Sequence, residues 1–160
     1  MKQIYICLVI FFSLAASRFI PHPPNFTSLI ALSFYVPVLL GLRYLPVLII
    51  SFVITDLIIG YHTGTHWTWG SVILIGLIVP LFAKNFNTRL SGALLSASIF
   101  FLITNFGVWC TGVYGYTFDG ILTCYILAIP FFAYSLISTS LFSLIIEAGV
   151  KIYKIKLIKL

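Results

Sequence analysis

Asp56 is the side chain whose position most invites a chemical reading, because it lies inside an apolar run four residues before Gly60. At about 1.5 Å per helical residue it sits roughly 6 Å below the end of that run. A carboxylate at that depth in hydrocarbon is costly unless paired or wet, which makes it a candidate orienting group for a polar ligand. The plain alternative is an interfacial side chain that reaches outward or bonds a Thr or Asn neighbour, and Asn105, at matching depth in a later run, is such a neighbour. His62 and His66 are spaced i, i+4, which on a helix points both imidazoles one way, and with His22 they supply the donors of a metal site. Gly64 between them argues for a loop instead, where histidines are solvated or bonded to backbone. Trp67, Trp69, Trp109, Tyr114, Tyr116 and Tyr125 crowd near the ends of apolar runs. They read either as an interfacial belt or as stacking walls for a planar ligand. Their bias to one face, argued below, favours walls, since a belt is two-sided.

Catalysis has little to work with. Asp56, Asp119 and Glu147 are the only acids, and no G-x-S-x-G, Walker loop or H-E-x-x-H occurs. No enzymatic activity and no cofactor is expected. Cys7, Cys110 and Cys124 have no metal-type spacing. Cys110 and Cys124 read as an outward disulfide or as small buried residues, and the second is favoured.

The elements that must position these groups are hydrocarbon-length helices. A chain of 160 residues that is 61% hydrophobic and 8% charged is no ordinary soluble domain. With roughly 20 residues needed per span and 17 tolerable, six apolar segments are expected: Ile4–Ile20, Phe26–Leu42, Tyr44–Gly60, Thr68–Ala83, Leu90–Val108 and Ile121–Ile146. They make one six-span domain over 1–150, followed by a basic tail over 151–160. The first segment also fits a signal peptide cleaved near Ala15–Ser17, but a retained span is preferred because five more follow. Pro21, Pro23 and Pro24 forbid helix in the first connection.

Charge sets the expected orientation. Six spans place Lys2, Arg43, Lys84, Arg89, Lys151, Lys154, Lys156 and Lys159 on one side, leaving Arg18 alone on the other. The positive-inside rule then puts both termini in the cytoplasm. The net charge of +6 is therefore a topological signal and not a nucleic-acid footprint. The same arrangement sends the chemically distinctive residues outward, among them Asn25, His62, Trp67, Trp109, Tyr116 and Asp119. The tail lysines either hold the last helix against anionic lipid or dock a cytoplasmic partner.

Four segments in order carry a resemblance: Pro21–Phe26 (PHPPNF), Asp56–His62 (D-x-x-x-G-x-H), Asn105–Trp109 (NFGVW) and Gly120–Phe132 (GILTCYILAIPFF). Together they resemble a family of uncharacterised small bacterial integral membrane proteins. That family is in turn similar to the S components of energy-coupling-factor (ECF) vitamin transporters. The resemblance implies an all-α, six-helix bundle in the bacterial inner membrane, with a ligand site at the outer face capped by three loops. It also implies partners, a membrane scaffold protein and cytoplasmic ATPases, that this chain does not contain. One departure stands out: Ser138-Thr139 replaces a Gly-Asp pair of the family pattern, which removes a second intramembrane carboxylate.

The expected function is a substrate-binding subunit for uptake of a small vitamin-like solute. Asn25, Asp56, His62, Asn105 and Asp119 would orient the ligand, and Trp67, Trp109 and Tyr116 would wall it. The alternative is a structural or assembly factor whose outer loops bind another membrane protein. A metal-uptake subunit built on His22, His62 and His66 is a third, weaker reading.

Overall fold

The computed structural model describes residues 2–78, 83 and 85–152. Among these residues there are six α-helices and no strand: α1 Lys2–Phe19, α2 Leu29–Leu40, α3 Leu45–Ile59, α4 Thr65–Ile78, α5 Phe86–Trp109 and α6 Phe118–Ile152. Each falls on one of the expected apolar segments.

The breaks follow from local chemistry. The Pro-rich stretch after α1 ends at Asn25, whose φ of 63° is a conformation that Asn tolerates and that turns the chain into α2. Gly41 closes α2 with φ 93° and Gly60 closes α3 with φ 129°, both costly for a residue with a Cβ. Asn85 opens α5 with a reciprocal cap, its side chain accepting from Thr88 N while Thr88 Oγ1 accepts from Asn85 N.

The centre of the molecule is α2. It packs against every other helix, while α1, α3, α4, α5 and α6 wrap around it, each against the next in that succession. Every residue from Leu29 to Val38 is buried. The outside is apolar too: Leu57, Ile58, Ile137 and Ile145 are exposed on α3 and α6. An interior holding Ser33, Thr55, Ser96 and Ser138, with an exterior of Leu and Ile, is the arrangement lipid selects.

Three segments are long and apolar enough to cross a membrane: Leu42–Ile59, Phe86–Trp109 and Phe118–Ile152. That makes the chain a membrane protein. Six spans are expected, and among the described residues three helical segments are long and apolar enough to be spans. The α2 helix has 12 residues, so it rises about 18 Å against a hydrocarbon core near 30 Å. It is shorter than its apolar run because Phe26–Ser28 is spent on the connection and Gly41 stops it. Most of the expected basic tail, and Lys84 of the basic turn, lie outside the described residues.

Candidate functional site

The α1–α2, α3–α4 and α5–α6 connections converge at one end of the bundle, where they line a cleft of two chambers. The smaller, about 240 Å³, lies among Arg18, His22, Phe52, Asp56 and His62. The larger, about 380 Å³, lies among Thr104, Asn105, Tyr114, Cys124, Ala128 and Phe131. Asn25, His62, Thr68 and Phe100 border both, so the two are contiguous.

Asp56 is the hub of the smaller chamber. Arg18 Nη2 donates to its Oδ1 at 2.5 Å and Trp69 Nε1 donates to its Oδ2 at 2.6 Å. Arg18 Nη1 also donates to Thr55 Oγ1 at 2.7 Å, and the guanidinium lies 4.6 Å from the centre of the Phe52 ring. Burial of the carboxylate is thus met by a charge and two hydrogen bonds, one to each oxygen. The pair ties α1 to α3, and Trp69 adds α4. Asn105, the expected neighbour, bonds instead to Phe101 O at 2.7 Å and lines the other chamber. Arg18 takes its place because α1 packs directly on α3.

The imidazoles have complementary settings. His62 Nδ1 accepts from Gly64 N at 3.1 Å, which assigns the proton of the neutral ring to Nε2. His22 Nδ1 lies 2.7 Å from Pro23 O and donates to it, leaving Nε2 of the neutral ring an acceptor. The loop implied by Gly64 is present, so His62 and His66 do not share a helical face. His66 is exposed and lies against Trp67. Among the described residues no three His, Cys, Asp or Glu side chains gather as a metal site.

Four of the expected site residues therefore line the cleft: Asn25, Asp56, His62 and Asn105. The other four stand beside it. Trp67 is wedged between α4 and α5, seated on Gly107 so closely that a Cβ there would overlap the indole, with Phe106 edge-on. Trp109 Nε1 donates to Gly115 O at 3.0 Å, and Tyr116 Oη donates to Cys110 O at 3.2 Å, so both rings hold the α5–α6 hairpin. Gly112 and Gly115, at φ 79° and 77°, allow that turn. Asp119 is exposed in the first turn of α6, where a negative charge suits the helix dipole. All three cysteines are free thiols, and Cys124 lies against Asn105 O.

Sequence reasoning missed Arg18, Thr68 and Phe100 as lining residues. The signal for Arg18 was present: a lone base on the side that holds a lone intramembrane acid needs that acid. Phe100 and Thr68 carried none, being ordinary helix residues placed by the packing of α4 and α5.

With Arg18 and Asp56 neutralising each other, the rest of the lining mixes hydrogen-bonding side chains and phenyl rings with aliphatic groups such as Ile30, Ile59, Val108 and Leu127. Such a cleft suits a small, partly apolar molecule carrying polar groups, and offers no unpaired carboxylate to a cation. No curated protein and no solved structure matches the chain. Residues 1–160 match throughout the group described as "Family of unknown function (DUF6580)", and the chain belongs to that family.

Proposed function

We propose that this chain is a membrane-embedded binding subunit for uptake of a small vitamin-like solute, with its ligand in the cleft. The observation that carries this reading is the convergence of three connections on one cavity whose lining mixes apolar, aromatic and hydrogen-bonding side chains. The six helices alternate across a bacterial inner membrane, with the cleft outside and both termini in the cytoplasm, as the basic residues ask. The shortness of α2 is compatible with six crossings, because its neighbours rather than lipid surround it. The resemblance to S components of ECF transporters supplies the remaining parts, a membrane scaffold protein and cytoplasmic ATPases on other chains. Hydrolysis of ATP belongs to those partners. Equilibrium binding of flavins, thiamine, folate, biotin, pyridoxal and queuosine-like compounds to the purified protein tests the proposal. Saturable, one-to-one binding of a compound is expected; no binding, with and without partner chains, overturns it.

One observation favours a second reading, an assembly factor that binds another membrane protein. Val113, Tyr116 and Phe118 are 75%, 71% and 80% exposed at and beside the hairpin tip, an apolar patch that a partner could cover. A stable protein partner that copurifies through this tip, with an empty cleft, would select that reading.

A further inference from the structure

At the end of the bundle away from the cleft, the first turn of α5 and the last turns of α6 border a cavity of about 560 Å³. Arg89 and Glu147, both buried, line it together with the exposed Lys151. Arg89 Nε and Nη2 donate to the two Glu147 oxygens at 2.6 Å each, so that carboxylate is taken. The chain has three acidic side chains, and the other two are elsewhere: Asp56 pairs with Arg18 at the cleft, and Asp119 is in the first turn of α6. Lys151 therefore has no acidic side chain to pair with, and the cavity sets two bases against one acid. The carboxylate also uses only two of the five guanidinium N–H donors, so Arg89 can still meet a second oxyanion. The rest of the wall is apolar. Leu144 and Ala148 line it with Phe86, and both belong to a stripe on α6. Ile137, Leu141, Leu144, Ile145 and Ala148 recur at helical spacing and are all exposed. The cavity thus opens onto an apolar stripe that runs back along α6 toward its middle.

We infer that this cavity binds the headgroup of an anionic phospholipid, its phosphate held by Lys151 and Arg89 and its acyl chains lying along the α6 stripe. Basic pockets between membrane helices attract acidic headgroups by charge, and the unmatched base here is Lys151. A zwitterionic headgroup brings its own cation and leaves that base unmatched. A free phosphate would meet the bases but leave Phe86 and the stripe uncovered, whereas a lipid satisfies the polar and apolar halves together. The buried Arg89–Glu147 pair fixes the inner wall, and the long Lys151 side chain can reach the headgroup from the rim. The site stands whether or not the cleft at the other end binds a solute.

Native mass spectrometry of the solubilised full-length protein, titrated with dioleoylphosphatidylglycerol or dioleoylphosphatidylcholine, tests the site. One phosphatidylglycerol is expected to be retained in preference to phosphatidylcholine. Lys151→Gln should weaken that binding about fivefold, the worth of one lysine near an anionic headgroup. Arg43→Gln removes an exposed base at the same end of the bundle but outside the cavity, and should leave binding unchanged. Ala148→Trp, which fills the cavity and keeps both bases, is expected to weaken binding as well. Excess inorganic phosphate should not displace the lipid. Equal retention of the two lipids, equal effects of Lys151→Gln and Arg43→Gln, or a folded Ala148→Trp that binds as the wild type does overturns the inference. Displacement by inorganic phosphate also overturns it, by showing a site for phosphate alone. Should Ala148→Trp not fold, the two glutamine variants, both at exposed positions, decide.

Discussion

Arg18 Nη2 meets Asp56 Oδ1 at 2.5 Å across 38 residues of sequence, and this contact fixes how three helices meet at the cleft. Because Trp69 takes the other oxygen, Asp56 serves the cleft by holding its wall rather than by offering a free carboxylate. Asp56→Ala strands a partly buried guanidinium and an indole N–H, and the expected loss is about 2–3 kcal/mol of stability, below that of a fully buried pair because Arg18 borders the cleft and keeps its bond to Thr55. The double variant Arg18→Met, Asp56→Leu leaves no uncompensated charge and is expected to regain most of that loss. Thermal melts of the two variants in one detergent check the difference. Equal Tm values would show that the pair does not hold the wall.

The opposite end of the bundle has its own tie. Arg89 at the start of α5 grips Glu147 near the end of α6 with two parallel hydrogen bonds. Arg89→Leu alone is expected to cost about 3–5 kcal/mol, since it leaves Glu147 buried and unpaired. The loss should be nearly independent of ionic strength, because buried pairs are poorly screened. Melting curves at low and high salt read both expectations, and a loss that disappears at high salt contradicts them.

Much of the fold was legible because lipid simplifies the code. Apolar length and prolines placed all six helices, and the up-and-down alternation of six segments predicted which connections share an end; the α1–α2, α3–α4 and α5–α6 connections do meet there. Helix length was less legible, since a Gly at position 41 and a turn at Phe26–Ser28 trim α2 within a continuous apolar run. The site was half legible. Asp56 and His62 stood out as polar residues in or beside apolar runs, and both line the cleft. Of the six candidate aromatic walls only Tyr114 lines the cleft; the others misled, because Trp and Tyr look alike in sequence whether they wall a ligand or brace a turn. Trp67 and Trp109 do the bracing, and which aromatic faces the cavity depends on inter-helix packing that periodicity does not encode.

Trp67 sits on Gly107 with no room for a methyl group, so Gly107→Ala is expected to force α4 and α5 apart. An overpacking cost of about 1–3 kcal/mol is anticipated. Truncating the wedge as well, with Trp67→Leu, should relieve the clash, so the double variant is expected to be more stable than the sum of the two single losses. Strict additivity in the melting series would place the two residues out of contact.

The hairpin bond from Trp109 to Gly115 O can be removed alone by Trp109→Phe, which keeps an aromatic ring against Tyr116. One lost hydrogen bond is worth about 1 kcal/mol. Limited proteolysis should cut faster between Cys110 and Thr117, while the global Tm moves little. Unchanged cleavage would mean that the indole does not hold the turn.

The central claim is that the cleft holds a small molecule, and native mass spectrometry of the gently solubilised protein tests it most directly. The wild type is expected to carry one stoichiometric small molecule, released on activation and identified by its mass. Thr104→Trp, which places an indole in the larger chamber beside the shared Phe100 wall, is expected to fold and to lose that mass. A bare chain mass for the wild type, or a bound mass that survives Thr104→Trp unchanged, would contradict the account.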